Sequence, residues 1–165
     1  MILVTVGTQL PFDRLIRAVD EVAPRLPMPV FAQIGRGRYQ PQHCRFAANV
    51  PPVEFDDLLR QASLIVGHAG IGSVLMAQKM GKPLLVMPRR IAFGEHRNDH
   101  QLATARALEE RPGIYVAFDE EALQQRLLDD TPFSLPTNDS PQRVQLQQAL
   151  EHYFDHGSLG ECAEA

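Results

Sequence analysis

The chain has 165 residues and a formal net charge of −4, from 20 acidic and 16 basic side chains. This length fits one domain with an ordinary hydrophobic core, and the negative charge disfavours nucleic-acid binding through a basic face. No apolar run approaches the roughly 20 residues that span a bilayer, and Cys44 and Cys162 are too far apart to form a metal-ligand pair. The first residues lack the charged segment of a signal peptide and predict a strand, so we expect a cytoplasmic protein.

Buried strands alternate with helices along the first part of the chain. Apolar runs without alternation predict strands at residues 2–6, 30–34, 64–66, 84–87 and 113–117, and a short strand within 45–50. Apolar residues at helical spacing predict helices at about 12–22, 55–62, 71–80, 99–109 and 119–128, the last with Asp119 as its N-cap. This order is typical of an α/β domain with a mainly parallel, Rossmann-like sheet.

The composition changes after residue 130. Residues 131–141 hold three prolines among Ser, Thr, Asn and Asp, which predicts a linker. Residues 142–155 predict a polar C-terminal helix with a modest apolar stripe, and residues 156–165 predict a frayed tail. We therefore expect one α/β domain over residues 1–130, followed by a linker, a helix and a tail.

A glycine-rich turn, His68 to Ser73, lies between a predicted strand and a predicted helix. Free amides at the start of a helix suit a phosphate group, and ligands of parallel sheets bind where strands end. The two glycines of this turn are equally compatible with turn geometry alone. A dinucleotide fingerprint is incomplete because Leu75 stands where a third glycine belongs, and Pro83 after Lys82 excludes a P-loop.

The densest polar cluster spans residues 94–101. His96 and His100 have the spacing of a helical metal-binding pair, but His96 precedes the predicted helix and no third ligand is evident, so we expect no metal site. One interpretation makes the cluster a helix N-terminus capped by Asn98 or Asp99. In the second interpretation, which is compatible with the first, Asp99, His100 and Gln101 bind the hydroxyl groups of a sugar.

Other charged groups have simpler interpretations. Glu54, Asp56 and Asp57 are predicted at a helix start, where acidic residues stabilise the N-terminus without being a catalytic pair. His68 ends a strand and points into the same crevice as the glycine-rich turn, as a structural hydrogen-bonding group or as an acid or base. Arginines that could contact a phosphate or a carboxylate are Arg36, Arg89, Arg90 and Arg97.

Three segments carry a family resemblance: residues 4–9 with Phe12-Asp13, residues 68–88, and residues 94–103. Together they resemble the C-terminal, nucleotide-sugar-binding domain of glycosyltransferase family 28, over roughly residues 1–128. Two stand-alone versions look most similar. These are the cytosolic subunit of the eukaryotic dolichol-linked N-acetylglucosaminyltransferase and the small subunit of bacterial two-component exopolysaccharide glycosyltransferases; the run Met87-Pro-Arg-Arg90 favours the bacterial group.

The resemblance implies a single GT-B half-domain that binds a UDP-sugar. It places the loop Gly7-Thr8-Gln9 near the diphosphate. It places the turn Gly70 to Ser73, which includes Gly72, against the diphosphate and the ribose. It places the region of Phe55 near the uracil and Asp99 to Gln101 at the donor sugar. Many relatives have a glutamate for the ribose hydroxyls at a position that Met76 occupies here, and a thioether is a poor hydrogen-bond acceptor.

The function that we expect is transfer, with inversion, of a hexose from a UDP-sugar to a lipid-linked saccharide in polysaccharide synthesis, without a metal or another cofactor. A single GT-B half lacks the acceptor domain and its catalytic base, so the resemblance implies a membrane-associated partner subunit that holds this chain at the inner membrane. His68 is the one tentative catalytic group. The alternatives are a non-catalytic regulatory or scaffolding subunit with a degenerate pocket, which Met76 favours, and a small enzyme that acts alone on a soluble nucleotide sugar.

Overall fold

The computed structural model describes residues 1–136, in which a six-stranded sheet carries helices on both faces. The strands are β1 (Ile2–Thr5), β2 (Val30–Gln33), β3 (Arg45–Ala47), β4 (Leu64–His68), β5 (Leu84–Met87) and β6 (Ile114–Val116). The helices are α1 (Asp13–Val22), α2 (Pro52–Gln61), α3 (Ile71–Met80), α4 (His100–Leu108) and α5 (Glu120–Leu128). None of the helices in this part of the chain is long and apolar enough to cross a membrane.

All strand pairs are parallel, and the spatial order is β3-β2-β1-β4-β5-β6. Ile2 is in register with Val30 on one side and with Leu64 on the other. Strands β2 and β3 are therefore added on one side of β1, and strands β4 to β6 are added on its other side. The order of strands reverses between β1 and β4, and the loops after these two strands diverge. Such a point opens a crevice at the carboxyl edge of a sheet. The predicted Rossmann-like parallel α/β fold is confirmed.

Strands β1, β4 and β5 are buried on both faces, which explains their apolar runs. Alternate residues of β1 supply the two cores: Val4 faces one cluster and Leu3 faces the other. The first cluster is closed by α1 and α5, through side chains such as Leu15 and Leu123. The second is closed by α2, α3 and α4. Full burial on both faces is the usual reason why parallel strands lack hydrophobic alternation.

The helix that begins beside the crevice ends at Gly81, as its sequence predicts. Gly81 has a φ of +61°, in the left-handed region that glycine adopts without steric cost. The amide of Lys82 donates to the carbonyl of Ala77, and the amide of Gly81 donates to that of Gln78. These bonds satisfy two carbonyls in the last turn of α3, and the chain then continues directly into β5.

One prediction about helix starts is wrong, and a second is correct in position but not in its hydrogen bond. Helix α2 begins at Pro52, so Glu54 lies in its first turn, whereas Asp56 and Asp57 lie in its interior and do not stabilise its N-terminus. Asp99 stands at the N-cap position of α4, but its carboxylate accepts a hydrogen bond from the Ile91 amide, and no side chain caps this helix. Asp99 therefore stabilises the neighbouring loop and does not cap α4 with its side chain. The predicted N-cap at Asp119 is confirmed, since its side chain accepts from the Ala122 amide.

Residues 131–136, the first part of the predicted linker, pack on the domain. The ring of Phe133 meets Tyr115 edge to face with centroids 4.9 Å apart, and the Arg126 guanidinium lies over Phe133. The Ser134 amide donates to the Tyr115 hydroxyl at 2.7 Å. The remainder of that linker, the predicted helix at 142–155 and the predicted tail at 156–165 lie outside the described residues.

A buried carboxylate on α1 organises the loop that leads to β3. Asp20 is 1% exposed, and it accepts hydrogen bonds from the Tyr39 hydroxyl and from the amides of Gln42, His43 and Cys44. Burial raises the pKa of this carboxyl, but the hydrogen bonds outweigh burial and lower the pKa below its ordinary value. Asp20 thus stabilises the fold in its ionised form.

We expect Asp20→Asn to lower the free energy of unfolding by about 2–3 kcal/mol at pH 7, since bonds to a charged acceptor are lost. The folded-state pKa lies below the unfolded one, so the contribution is complete above the unfolded pKa and is lost as pH falls through the folded pKa. Urea unfolding followed by circular dichroism at neutral pH and near pH 3 measures this. Asp56→Asn, at an exposed carboxylate, is the control. Equal effects of the two variants at neutral pH would contradict the account.

Candidate functional site

A cavity of about 630 Å³ opens at the carboxyl edge of the sheet, between the loops that follow β1 and β4. The helices that follow these two strands, α1 and α3, pack on opposite faces of the sheet, which leaves space between the two loops. The cavity brings together ten residues that the sequence predicts for the site: Gly7, Thr8, Gln9, Phe55, His68, Gly70, Gly72, Ser73, His100 and Gln101.

The start of α3 offers two free amides at this cavity. The amides of Ser73 and Val74 both donate to the Gly70 carbonyl. Those of Ile71 and Gly72, which also line the cavity, find no acceptor within residues 1–136. Unpaired amides at a helix N-terminus carry partial positive charge and bind anions. This edge of the cavity is therefore suited to a phosphate oxygen.

Arg89 supplies a full positive charge to the same cavity. Its side chain follows β5 and is 4% exposed, and its Nη2 donates to the carbonyls of Val6 at 2.8 Å and Leu10 at 2.6 Å. It forms no ion pair within the described residues, and its buried Nε has no hydrogen-bond partner there. Burial lowers the pKa of Arg89 to about 10, with Glu95 opposing, so the group remains a cation at neutral pH. A buried cation without a counter-ion favours an anionic ligand.

His68, the last residue of β4, lies between two glycines of the cavity wall. A Cβ atom at Gly70 would lie 2.2 Å from Cε1 of the imidazole ring, and one at Gly7 would lie 3.1 Å from its Nε2. Only glycine at position 70 leaves room for this ring. Burial, together with the charges of Arg89 and His96, lowers the pKa of His68 to about 4. The ring is therefore neutral at pH 7 and carries one N–H donor.

Gln33 belongs to the cavity wall and was not predicted for it from the sequence. Its Oε1 accepts from the Thr5 hydroxyl at 2.8 Å, and its Nε2 donates to the carbonyls of Gly7 and Ala48. This side chain ties the loop after β1 to the loop after β3. A polar residue that closes an otherwise apolar strand was the signal that could have found it. Asn49 and Val50 also line the cavity and were not predicted for it.

Three groups predicted to contact a ligand lie elsewhere or are already engaged. Asp99 does not line the cavity, and its carboxylate holds the Ile91 amide at 2.9 Å. Gln101 lines it but is 3% exposed, and its amide bonds to protein groups. Of the four candidate arginines only Arg89 lines the cavity; those that do not are Arg36, Arg90 and Arg97.

His96, His100 and Met76 complete the open side of the cavity. His96 lies before α4, as predicted, and its ring meets that of His100 edge to face, with centroids 4.6 Å apart. Within residues 1–136, no group of three His, Cys, Asp or Glu side chains is arranged to hold a metal ion. Met76 gives this wall a thioether, which is a poor hydrogen-bond acceptor.

A second cavity of about 630 Å³, beside α1, has an acidic wall, with four carboxylates (Asp13, Glu21, Glu95 and Glu120) and two arginines (Arg14 and Arg17). Its wall contains Arg14, whose guanidinium pairs with Glu95 at 2.7 Å and with Glu120 at 3.0 Å. Carboxylates outnumber arginines in this wall, whereas the guanidinium of Arg89 has no carboxylate partner within the described residues. The cavity between the loops after β1 and β4, called the anion cavity below, is therefore the candidate ligand site.

Comparison with known proteins gives the family of the chain and the same fold. The chain matches the glycosyltransferase family 28 C-terminal domain over residues 1–152. It is 30% identical over 137 residues to "UDP-N-acetylglucosamine transferase subunit ALG13" of Yarrowia lipolytica, covering 74% of this chain and 67% of that protein.

Two solved structures share the fold. The solution structure of ALG13 superposes with a TM-score of 0.62 at 17% identity, covering 93% of this chain and 96% of that one. The glycosyltransferase SsfS6 of Streptomyces sp. SF2575, complexed with thymidine diphosphate, gives 0.56 at 21% identity over 79% of this chain. This chain spans 33% of the length of SsfS6. With the family match over residues 1–152, these findings establish that the chain belongs to glycosyltransferase family 28, as its C-terminal type of domain.

Proposed function

We propose that this chain is the donor-binding subunit of a glycosyltransferase that moves a hexose from a UDP-sugar, with inversion, to a lipid-linked saccharide. Residues 1–130 form the donor-binding domain in this proposal. The single observation that carries it is the unneutralised Arg89 beside the free amides of α3, in one cavity at the reversal point of the sheet. A nucleoside diphosphate supplies the negative charge that these groups lack. Family membership and the nucleotide names of its relatives support this ligand class.

In this proposal, each residue of the anion cavity contacts the part of the UDP-sugar that lies beside it. The amides of Ile71 and Gly72 and the Arg89 guanidinium meet the diphosphate, with side-chain donors from Thr8 and Gln9. As the bond between sugar and diphosphate breaks, negative charge grows on the leaving phosphate, and preorganised donors lower the barrier by stabilising that charge. Phe55 and the neighbouring main chain would contact the uracil, and His100 would contact the sugar.

A base that removes the proton of the acceptor hydroxyl is not assigned to this chain. His68 has its pKa lowered to about 4, so its conjugate acid is too strong for it to take a proton efficiently at pH 7. In the proposal, a membrane-associated partner subunit supplies the base and the acceptor site and holds this chain at the inner membrane. The Yarrowia lipolytica relative is by name a subunit, which supports a divided enzyme. Synthesis of an exopolysaccharide is the proposed setting.

The alternative is a regulatory or scaffolding subunit whose pocket no longer binds a nucleotide sugar. Met76 favours it, because this residue lines the anion cavity and offers only a weak acceptor to a ribose hydroxyl. The solitary charge of Arg89 favours the donor-binding function, since burying a cation is costly and unnecessary in a pocket without an anion.

Titration calorimetry of the full chain with UDP, UDP-glucose, UDP-glucuronate, UDP-galactose and UDP-N-acetylglucosamine tests the proposal. We expect saturable binding of UDP, a preference for one sugar, and the same affinity in EDTA as without it. Thymidine diphosphate tests discrimination at the base. Binding of none of these, by the chain alone or with its co-expressed partner, would establish the scaffolding function instead.

A further inference from the structure

The Gln101 side chain connects the main chain of Arg89 to the ring of His68. Gln101 is the second residue of α4, and its Oε1 accepts a hydrogen bond from the Arg89 amide at 3.0 Å. That bond decides which end of the Gln101 amide faces β5, because only the oxygen can accept. The other end, Nε2, lies 3.4 Å from Nδ1 of His68.

The orientation of the amide fixes the protonation of the ring. An amide nitrogen carries two hydrogens and accepts none, so Nδ1 of His68 must be the acceptor. A neutral imidazole with an unprotonated Nδ1 carries its hydrogen on Nε2. This nitrogen lies on the side of the ring that faces Gly7, in the loop after β1. The ring cannot turn easily, because Gly70 packs against its Nδ1 edge.

We propose that Gln101 is a positioning residue that holds His68 in the Nε2–H tautomer and aims that N–H at the anion in the cavity. This inference rests on the proposed function for the identity of the anion. It gives Gln101 a role that differs from the sugar contact expected from the sequence. The oxygen and one hydrogen of the Gln101 amide are already hydrogen-bonded to protein groups.

The tautomer matters because His68 faces cations and stays neutral. Arg89 from the end of β5 and His96 from the loop before α4 are the charged or titratable groups that bear on it, and with burial they hold the pKa of His68 at about 4. A neutral ring offers either an N–H or a lone pair at Nε2. The N–H attracts a phosphate oxygen, whereas the lone pair repels it, so one hydrogen bond on Nδ1 separates a binding group from a repelling one.

Long-range ¹H–¹⁵N correlation of the histidine rings in the uniformly labelled full chain tests this without ligand. We expect a protonated, pyrrole-type Nε2 and an unprotonated Nδ1 for His68, unchanged between pH 6 and pH 8. His68→Gln identifies the signals. An Nδ1–H tautomer in the wild-type protein would overturn the proposal whatever the variants do.

Two variants separate positioning from packing. In Gln101→Glu the carboxylate still accepts from the Arg89 amide but cannot donate to His68, so we expect Nδ1 to become protonated. Gln40→Glu, at an exposed side chain, adds the same charge as a control and leaves the His68 signals unchanged. Gln101→Met removes both bonds without adding charge, and we expect it to weaken UDP binding about tenfold. An unaltered His68 spectrum in folded Gln101→Glu would contradict the proposal.

The outcomes distinguish this inference from the proposed function. If His68 has the expected tautomer but UDP neither binds nor shifts Nε2, the tautomer assignment stands and the nucleotide site fails. If UDP binds while His68 is the Nδ1–H tautomer, the nucleotide site stands and the role of Gln101 fails.

Discussion

Arg89→Met is expected to weaken the binding of UDP by about 10- to 100-fold, the loss that follows removal of one hydrogen-bonded charge, worth about 1.5–3 kcal/mol. The guanidinium is buried, lines the anion cavity and has no carboxylate partner within the described residues. Because the group is shielded from water, its attraction for a diphosphate is screened less by solvent and by salt than that of a surface arginine. Calorimetric titration of the purified variant with UDP measures the loss.

Arg90→Met is the matched control, because it removes the same charge one residue away. Arg90 does not line the anion cavity, and its hydrogen bonds within the described residues are made by its main chain, while its guanidinium lies over the Phe93 ring. We expect its UDP affinity to stay within about twofold of wild type. Circular dichroism of both variants shows whether they remain folded, which matters because Arg89→Met also leaves the carbonyls of Val6 and Leu10 without their donor. Similar losses in the two variants would assign the effect to net charge.

Glu95→Gln is expected to lower the free energy of unfolding by about 3 kcal/mol, since breaking this buried ion pair leaves the Arg14 charge with only the exposed Glu120 as its partner. Glu95 receives two bonds from Arg14, at 2.7 and 2.8 Å, and a third from the Arg90 amide. The side chains of Glu95 and Arg14 are only 9% and 12% exposed. Together they fasten the loop after β5 to α1, on the side of the loop away from the anion cavity.

Glu120→Gln breaks the other ion pair of the same arginine and is the control for this prediction. Glu120 lies at 3.0 Å from Arg14, but its side chain is 43% exposed, so water screens the pair and the expected cost is below about 1 kcal/mol. Urea unfolding at pH 7, followed by circular dichroism, compares the two variants. Equal costs would mean that burial does not govern the strength of this network.

The secondary structure and the family were accessible from the sequence because their signals are local. A strand buried on both faces needs several consecutive apolar residues, so β1, β4 and β5 stand out without knowledge of their neighbours. Gly81 marks the end of α3 by its own conformational freedom, and Asp119 marks the start of α5 by a bond three residues away. The glycine-rich turn at the start of α3 was enough to predict a phosphate site.

The tertiary structure alone decided how the polar side chains of the site are used. Asp99 and Gln101 look alike in the sequence as contacts for a sugar, but one holds a loop amide and the other joins Arg89 to His68. Arg89 cannot be told from Arg90 by sequence, although one is buried in the anion cavity and the other is outside it. The reason is physical: helix and strand signals come from neighbours a few residues apart, whereas hydrogen-bond partners and counter-ions are set by packing. Arg14 and Glu95, 81 residues apart, meet only when the sheet is assembled.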